Sequence, residues 1–223
     1  MSNFIFNGIC SDDMGLIIEK LPPIVKPPKR YNLIEIDGAD RAVVETLGYK
    51  AYEKTIPVGF KNTDLSEIVD WLEGEGKLIL SNEEDKYYDA FILNQIDYER
   101  IIRYRKANII FLVQPYKYSI GEEETTAREV INQGNVDCLP LMTIYGSGYI
   151  VVSINNVEVC RISNINGYIS LDGEEQEAKK GDVLQNRIMS GQFPVFSPGL
   201  NKISFTGSGT VTEVKTIVRS RWL

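Results

Sequence analysis

Three groups of carboxylates have the type and spacing to do chemistry: Asp12 with Asp13, Glu122 to Glu124, and Glu174 with Glu175. Glycoside hydrolysis needs two carboxyl groups held at a fixed separation, one of them kept protonated by burial. All three groups lie in polar, turn-forming sequence instead, where carboxylates are solvated. Asp172 with Glu174 to Glu177 offers oxygen ligands for calcium, but the spacing of an EF-hand loop is absent and the run reads as a turn. The chain contains no histidine. That removes the commonest general base at neutral pH and the commonest metal ligand, and leaves any Ser or Cys nucleophile without its usual partner. The three cysteines, Cys10, Cys138 and Cys160, are widely spaced among apolar residues, as expected of reduced core thiols. No catalytic residue, cofactor or metal site is expected.

Two further motifs invite a nucleic-acid or phosphate reading. Arg100, Arg103, Arg105 and Lys106 interleave with Tyr98 and Tyr104, a combination that can stack bases and neutralise phosphates. Asp97 and Glu99 stand beside them, so the stretch reads as a solvated strand face or an ion-pair surface toward another subunit. Gly146-Ser147-Gly148 lacks the lysine and the following helix of a phosphate loop, and reads as a turn between two strands. The net charge is −7, with 15 Lys and Arg against 22 Asp and Glu up to Thr125 and 9 against 9 beyond it. The acid-rich first part is expected to repel nucleic acid rather than hold it.

The elements that must position these residues are mostly strands. Phe4 to Phe6, Leu33 to Ile36, Thr55 to Phe60, Lys77 to Leu80, Tyr88 to Tyr98 and Ile101 to Val113 are rich in β-branched and aromatic residues and are separated by Gly, Asn and Asp. One helix is predicted over Asp64 to Glu73, with Leu65, Ile68, Val69 and Leu72 on one face, Trp71 at its margin, Asp64 and Glu67 forming a capping box, and Gly74 or Gly76 past its end. The paired prolines of LPPIVKPPKRY preclude continuous sheet pairing there. Beyond the polar stretch Gly121 to Glu129, short strands are predicted at Leu141 to Tyr145, Tyr149 to Ile154, Val157 to Ile162, Tyr168 to Leu171, Pro194 to Phe196, Asn201 to Phe205 and Val211 to Val218, the spacing of a β-sandwich. Asn155-Asn156 and Asp172-Gly173 are predicted hairpin turns. The chain ends on Trp222 and Leu223, too apolar for a frayed tail, so this end is expected to dock on a core or an interface. The first residues carry neither a basic nor a sustained apolar stretch of a secretion signal, and no membrane span is expected.

Four loose motifs, in order along the chain, carry a resemblance. FIFNGICSDDMGL at Phe4 to Leu16, with Gly8 and Gly15, is followed by YNLIEIDGADRAV at Tyr31 to Val43, with Gly38 in its turn. FLVQPYKY at Phe111 to Tyr118 reads as the strand closing a first domain, and FSPGLNKISFTG with a terminal RSRWL closes the second. Together they resemble the distal tail protein family of long-tailed siphophages, a tail-tip baseplate hub.

That resemblance implies a mainly β chain of two domains. Residues 1–130 would form a ring-forming β domain with one helix near 64–73, and residues 131–223 a galectin-like β-sandwich. It implies a non-enzymatic virion protein, made in the bacterial cytoplasm, whose hexameric ring joins the tail tube above to a tail-associated adhesin or lysin below. The tape measure protein is a further expected partner, DNA passes only in transit, and no membrane insertion is expected. The implied structural residues are Phe4, Gly8, Gly15 and Gly38 at the start, Pro198, Gly199 and Asn201 at a sandwich turn, and Arg219, Arg221 and Trp222 at the C-terminal anchor. An alternative function is a carbohydrate-binding module in which Tyr145, Tyr149 and Tyr168 stack on sugar rings.

Overall fold

The computed structural model describes residues 2–38, 40–61, 66–93 and 105–223 of the chain. It divides into two compact units, residues 1–117 together with Leu223, and residues 118–222. The expected boundary after residue 130 therefore falls inside the second unit. The charge split moves with it, because Glu122, Glu123 and Glu124 belong to the second unit. Up to Lys117 the chain carries 15 Lys and Arg against 19 Asp and Glu, and from Tyr118 onward 9 against 12, so the acidic excess is shared rather than confined to the first unit. Both units are mainly β.

The first unit is built on one antiparallel sheet. In spatial order its strands are β2 (Ile9–Cys10), β1 (Phe4–Phe6), β7 (Glu75–Leu80), β8 (Glu83–Ile92), β9 (Lys106–Ser119), β6 (Tyr52–Phe60) and β3 (Leu16–Ile18). Alternation decides which faces are buried: Ile56, Val58 and Phe60 on β6 and Ile109, Phe111 and Val113 on β9 point inward with Phe4, Phe6, Leu78 and Leu80. The helix α1 (Ser66–Trp71) packs on this face. Trp71 is not at its margin but in the core, its ring stacked on Phe4 at 5.6 Å and its indole N–H donating to the Phe6 carbonyl at 2.8 Å. The aromatic body is desolvated while its one polar atom keeps a partner. Asp64 and Leu65, the predicted start of the helix, lie outside the described residues, as do Asp97, Tyr98, Glu99, Arg100, Arg103 and Tyr104 of the basic and aromatic stretch. Arg105 and Lys106 are described, and Lys106 pairs with Glu19 at 2.6 Å on the surface.

The second unit centres on two long strands, β11 (Leu141–Ile154) and β12 (Val157–Asp172), paired along their length through the Asn155-Asn156 turn, where both residues have positive φ (52° and 66°). The Gly146–Gly148 motif is thus no turn. It lies within β11, with a register shift against β12 between Gly148 and Ile150, and a Cβ on Gly146 would stand 2.1 Å from the Thr210 carbonyl oxygen. Glycine is needed because another backbone passes too close for a side chain, and the bulge bends the strand without ending it. On its other edge β11 pairs first with β17 (Thr210–Ile217) and then with β16 (Gly199–Thr206), and β16 carries β10 (Glu129–Asn132). β12 likewise carries β13 (Glu177–Lys180), which pairs with β14 (Val183–Leu184), and, nearer its start, β15 (Met189–Gly191). Pro194 to Phe196 forms no strand, only a bridge from Phe196 to Cys138. The curled sheets enclose one core that includes Met142, Ile144, Val152, Ile162, Leu171, Phe196 and Val214.

Candidate interface hairpin

Among the described residues, one hairpin contributes nothing to the buried core of its unit. Leu21 to Pro28 belongs to no strand, then β4 (Lys29–Ile34) pairs antiparallel with β5 (Val43–Tyr49) as a separate two-stranded sheet. The prolines explain the separation, because without N–H groups and with fixed φ the lead-in cannot join a ladder. The register places Leu33 opposite Val44 and Tyr31 opposite Thr46 on one face, with Asn32 opposite Glu45 on the other, where the Asn32 amide donates to the Glu45 carboxylate at 3.4 Å. Ile34 pairs with Val43 on that second face, so both faces carry exposed apolar side chains: Tyr31, Leu33 and Val44 on one, Ile34 and Val43 beside the Asn32–Glu45 pair on the other. Every residue of β4 is exposed, and Tyr31 at 63 % and Val44 at 60 % show how fully these side chains meet water.

At its base the hairpin is tied down. The Lys50 N–H donates to the Pro28 carbonyl at 2.9 Å, Lys26 and Lys29 each lie 5.8 Å from the Tyr49 ring, and Tyr49 meets Tyr116 edge-on at 6.4 Å. An isolated two-stranded hairpin is marginally stable in water, and contiguous exposed apolar surface on a soluble chain marks an interaction site.

The residues singled out from sequence fall in several places. Phe4 is a fully buried core residue. Gly8, Gly15 and Gly38 all lie in turns with φ of 82°, 71° and 80°, Gly38 near the hairpin tip. Pro198 and Gly199 precede a buried Asn201, whose amide donates to the carbonyls of Ser197 (2.7 Å) and Gly199 (3.0 Å) while its oxygen accepts the Ser197 N–H at 3.2 Å, so one side chain closes the turn. Arg219 grips Asp172 with two bonds of 2.7 and 3.0 Å. Burial opposes ionisation of Asp172, but the Arg219 guanidinium and the N–H groups of Glu175 and Glu174 outweigh it and hold the carboxyl below its ordinary value. Asp172 thus stabilises a turn over residues 173–176 and anchors the C-terminal segment, rather than forming a two-residue Asp-Gly hairpin. Arg221 donates to the Asp137 carbonyl at 2.6 Å, the Ser220 N–H is bonded by Glu122, and the half-buried Trp222 lies in β18 (Arg221–Trp222).

The tyrosines of the carbohydrate alternative divide. Tyr145 and Tyr168 face each other across β11 and β12 with ring centroids 5.6 Å apart, and Tyr149 lies beyond the bulge, outside that pair. Tyr168 also lines a cavity of about 290 Å³ with Asn164, Asn166, Lys180, Gln185 and Ile188.

Sequence reasoning missed a cluster of buried charges beneath the hairpin lead-in. Lys54 on β6 is 2 % exposed, and its ammonium donates to the Pro23 carbonyl at 3.1 Å and lies 4.8 Å from the Tyr88 ring. Glu83 accepts from Lys117 at 2.6 Å through one oxygen and from the Tyr88 hydroxyl at 2.7 Å through the other. Burial pushes the Lys54 ammonium down to about 8, with Glu83 raising it and Lys117 lowering it further.

No helix among the described residues is long and apolar enough to cross a membrane. No protein-family model matches the chain, and no curated protein matches it in sequence. The two β-rich units nonetheless share their fold with solved phage hub and baseplate proteins. Among these, the chain is similar to SPP1 Dit (gp 19.1), a paradigm of hub adsorption apparatus in Gram-positive infecting phages. That crystal structure aligns over 100% of both chains with a TM-score of 0.71 at 16% identity. The phage P2 baseplate in its activated conformation with Ca aligns over 96% of both chains with a TM-score of 0.51 at 9% identity, and the form with Sr over 97% of both at the same score and identity.

Proposed function

We propose that this chain is a structural, non-enzymatic component of a phage tail tip, a distal tail hub that assembles with copies of itself through the β4–β5 hairpin. The observation that carries this is the hairpin's exposed apolar side chains, Tyr31, Leu33 and Val44 on one face with Ile34 and Val43 on the other, on a fold shared end to end with a phage hub protein. Burying side chains such as Tyr31, Leu33 and Val44 contributes about 1.5–3 kcal/mol each, enough to hold a neighbour when repeated around a ring. The ring is hexameric, leaves a channel for DNA, and joins the tail tube to the adhesin or lysin. These assignments, like the tape measure protein as a partner, the virion tail tip as location and the host cytoplasm as the place of synthesis, rest on the resemblance.

Light scattering with negative-stain imaging tests this. The chain forms closed rings, alone or on mixing with its tail-tube and adhesin partners, and Leu33→Asp with Val44→Asp abolishes them while both units stay folded. Rings that form equally well in that variant, or a chain that stays monomeric with every partner, refute the proposal.

The cavity beside Tyr168 favours one second reading, carbohydrate binding, since an aromatic ring beside planar amides and an ammonium suits a sugar's apolar face and hydroxyls. Binding on a glycan array that is lost in Tyr168→Ala supports it, and silence on the array removes it.

A further inference from the structure

We propose that Lys54 is a positioning residue for the hairpin: its buried ammonium latches the Pro23 carbonyl and so fixes the direction in which β4 leaves the first unit. The latch is argued from the geometry of the single chain, and only its consequence for assembly rests on the hub reading. The lead-in Leu21 to Pro28 belongs to no strand, and Pro22, Pro23, Pro27 and Pro28 have no N–H to donate. Half of its residues thus offer only a carbonyl to hold, and side chains hold two consecutive ones: Asn82 donates to Pro22 at 3.3 Å and Lys54 to Pro23 at 3.1 Å. At the other end the Lys50 N–H holds the Pro28 carbonyl at 2.9 Å. Between these ties the chain is stiffened by proline, so an anchor at Pro23 is transmitted to the start of β4 rather than lost in a flexible loop.

The lysine is costly where it stands, which argues for a role that an apolar residue cannot fill. It lies in phase with the inward residues Ile56, Val58 and Phe60, and Lys is rarely buried unless paired. The groups facing it are Glu83, Lys117, Tyr52 and Tyr88. Glu83 is bonded to Lys117 and Tyr88, and the Lys54 ammonium donates instead to the Pro23 carbonyl. A Met or Leu would fill the same space without the desolvation penalty, but neither carries a donor that reaches the lead-in.

The test uses the full chain with one spin label on the native Cys10 and a second on Thr46→Cys in the hairpin, Cys138 and Cys160 being buried. Electron–electron distances are measured in spin-diluted samples. The parent gives one narrow distance distribution, Lys54→Met loses the narrow peak, Lys54→Arg restores it, and Asn82→Ala broadens it less. Trp71 fluorescence confirms that the first unit stays folded in each. An unchanged narrow peak in Lys54→Met overturns the latch, and if that variant does not fold, an unchanged peak in Asn82→Ala does so. These distances are read whether or not the chain self-associates, so a failed latch and a failed hub reading are told apart.

Discussion

Replacing Glu83 by Ala removes the one carboxylate that serves Lys117 and Tyr88, and its effect can be worked from the geometry. The side chains of Glu83 and Lys117 are each 9 % exposed, at 2.6 Å from one another. Deleting one member of such a pair leaves an uncompensated buried charge, at a cost of about 3–5 kcal/mol. The Tyr88 hydroxyl also loses its acceptor, a further cost of about 1–3 kcal/mol where no water replaces it. The two do not add, because both arise from one carboxylate whose vacated space water can enter to serve either group, so a total of about 4 kcal/mol is expected. Against a domain stability of about 5–15 kcal/mol, that brings the first unit near unfolding. Replacing the pair together, Glu83→Leu with Lys117→Met, removes the uncompensated charge and leaves only the lost Tyr88 acceptor, so the double variant should lie about 1–3 kcal/mol below the parent and above the single variant. Urea denaturation followed by Trp71 fluorescence reads the first unit, with Trp222→Phe removing the only other tryptophan. A loss below about 1 kcal/mol in Glu83→Ala, or a double variant as unstable as the single, refutes the assignment of this pair as a closed, desolvated unit.

The same cluster sets a pH dependence. Lys54 titrates near 8 in the folded chain against an ordinary 10.5, so the unfolded state binds more protons between these values and the first unit gains about 1 kcal/mol from pH 7 to 9. Above pH 10 the trend reverses, because burial and the bond to Glu83 keep Tyr88 protonated only while folded; denaturation midpoints that fall steadily from pH 7 contradict this. Cys138 and Cys160 are buried, with thiols pushed up to about 12 by that burial, so a thiol reagent at pH 8 should modify Cys10 alone until urea exposes all three. Rapid reaction of a second thiol in the folded chain counts against the packing of the second unit. Arg219→Lys keeps the charge but not the two-bond grip on Asp172, and should lower the stability of the second unit by about 1–2 kcal/mol, read by Trp222 in a Trp71→Phe background.

Much of the fold was legible because it rests on local periodicity. Ile56, Val58 and Phe60 alternate inward as their sequence suggests, and Asn155-Asn156 marks its hairpin through the tolerance of Asn for positive φ. The long strands β11 and β12 were read as broken, since glycine in a strand looks like a turn until the passing Thr210 backbone explains it. Trp71 was placed at a helix margin because helical phase alone cannot register that Phe4, 67 positions earlier in the chain, supplies the ring it stacks on. The buried lysines left a signal that went unused. Lys54 stands in phase with Ile56 and Val58, and Lys117 with Phe111 and Val113, so alternation by itself directs both ammonium groups inward. What sequence withholds is the partner, since Glu83 and the Pro23 carbonyl come from separate elements.

The hairpin was legible in its turn and in the end of β4, where a strand is predicted over Leu33 to Ile36, but not in its separation from the sheet, and the reason bears on its function. Apolar residues in a strand ordinarily signify a buried face, and here Tyr31, Leu33 and Val44 on one face and Ile34 and Val43 on the other would suit a strand covered on both sides. Yet none of the described residues from Lys29 to Tyr49 enters the buried core of the first unit, which closes through β1, β3, β6, β7, β8, β9 and α1. The pattern of a core strand without a core of its own is stabilising only when a second surface covers it. That unit pays for the exposed face in solubility and gains nothing from it alone, whereas a neighbouring copy converts the same residues into buried area. On the hub proposal, the proline lead-in and its carbonyl ties have a physical purpose: they would hold an apolar strand apart from its own sheet for a second copy to cover.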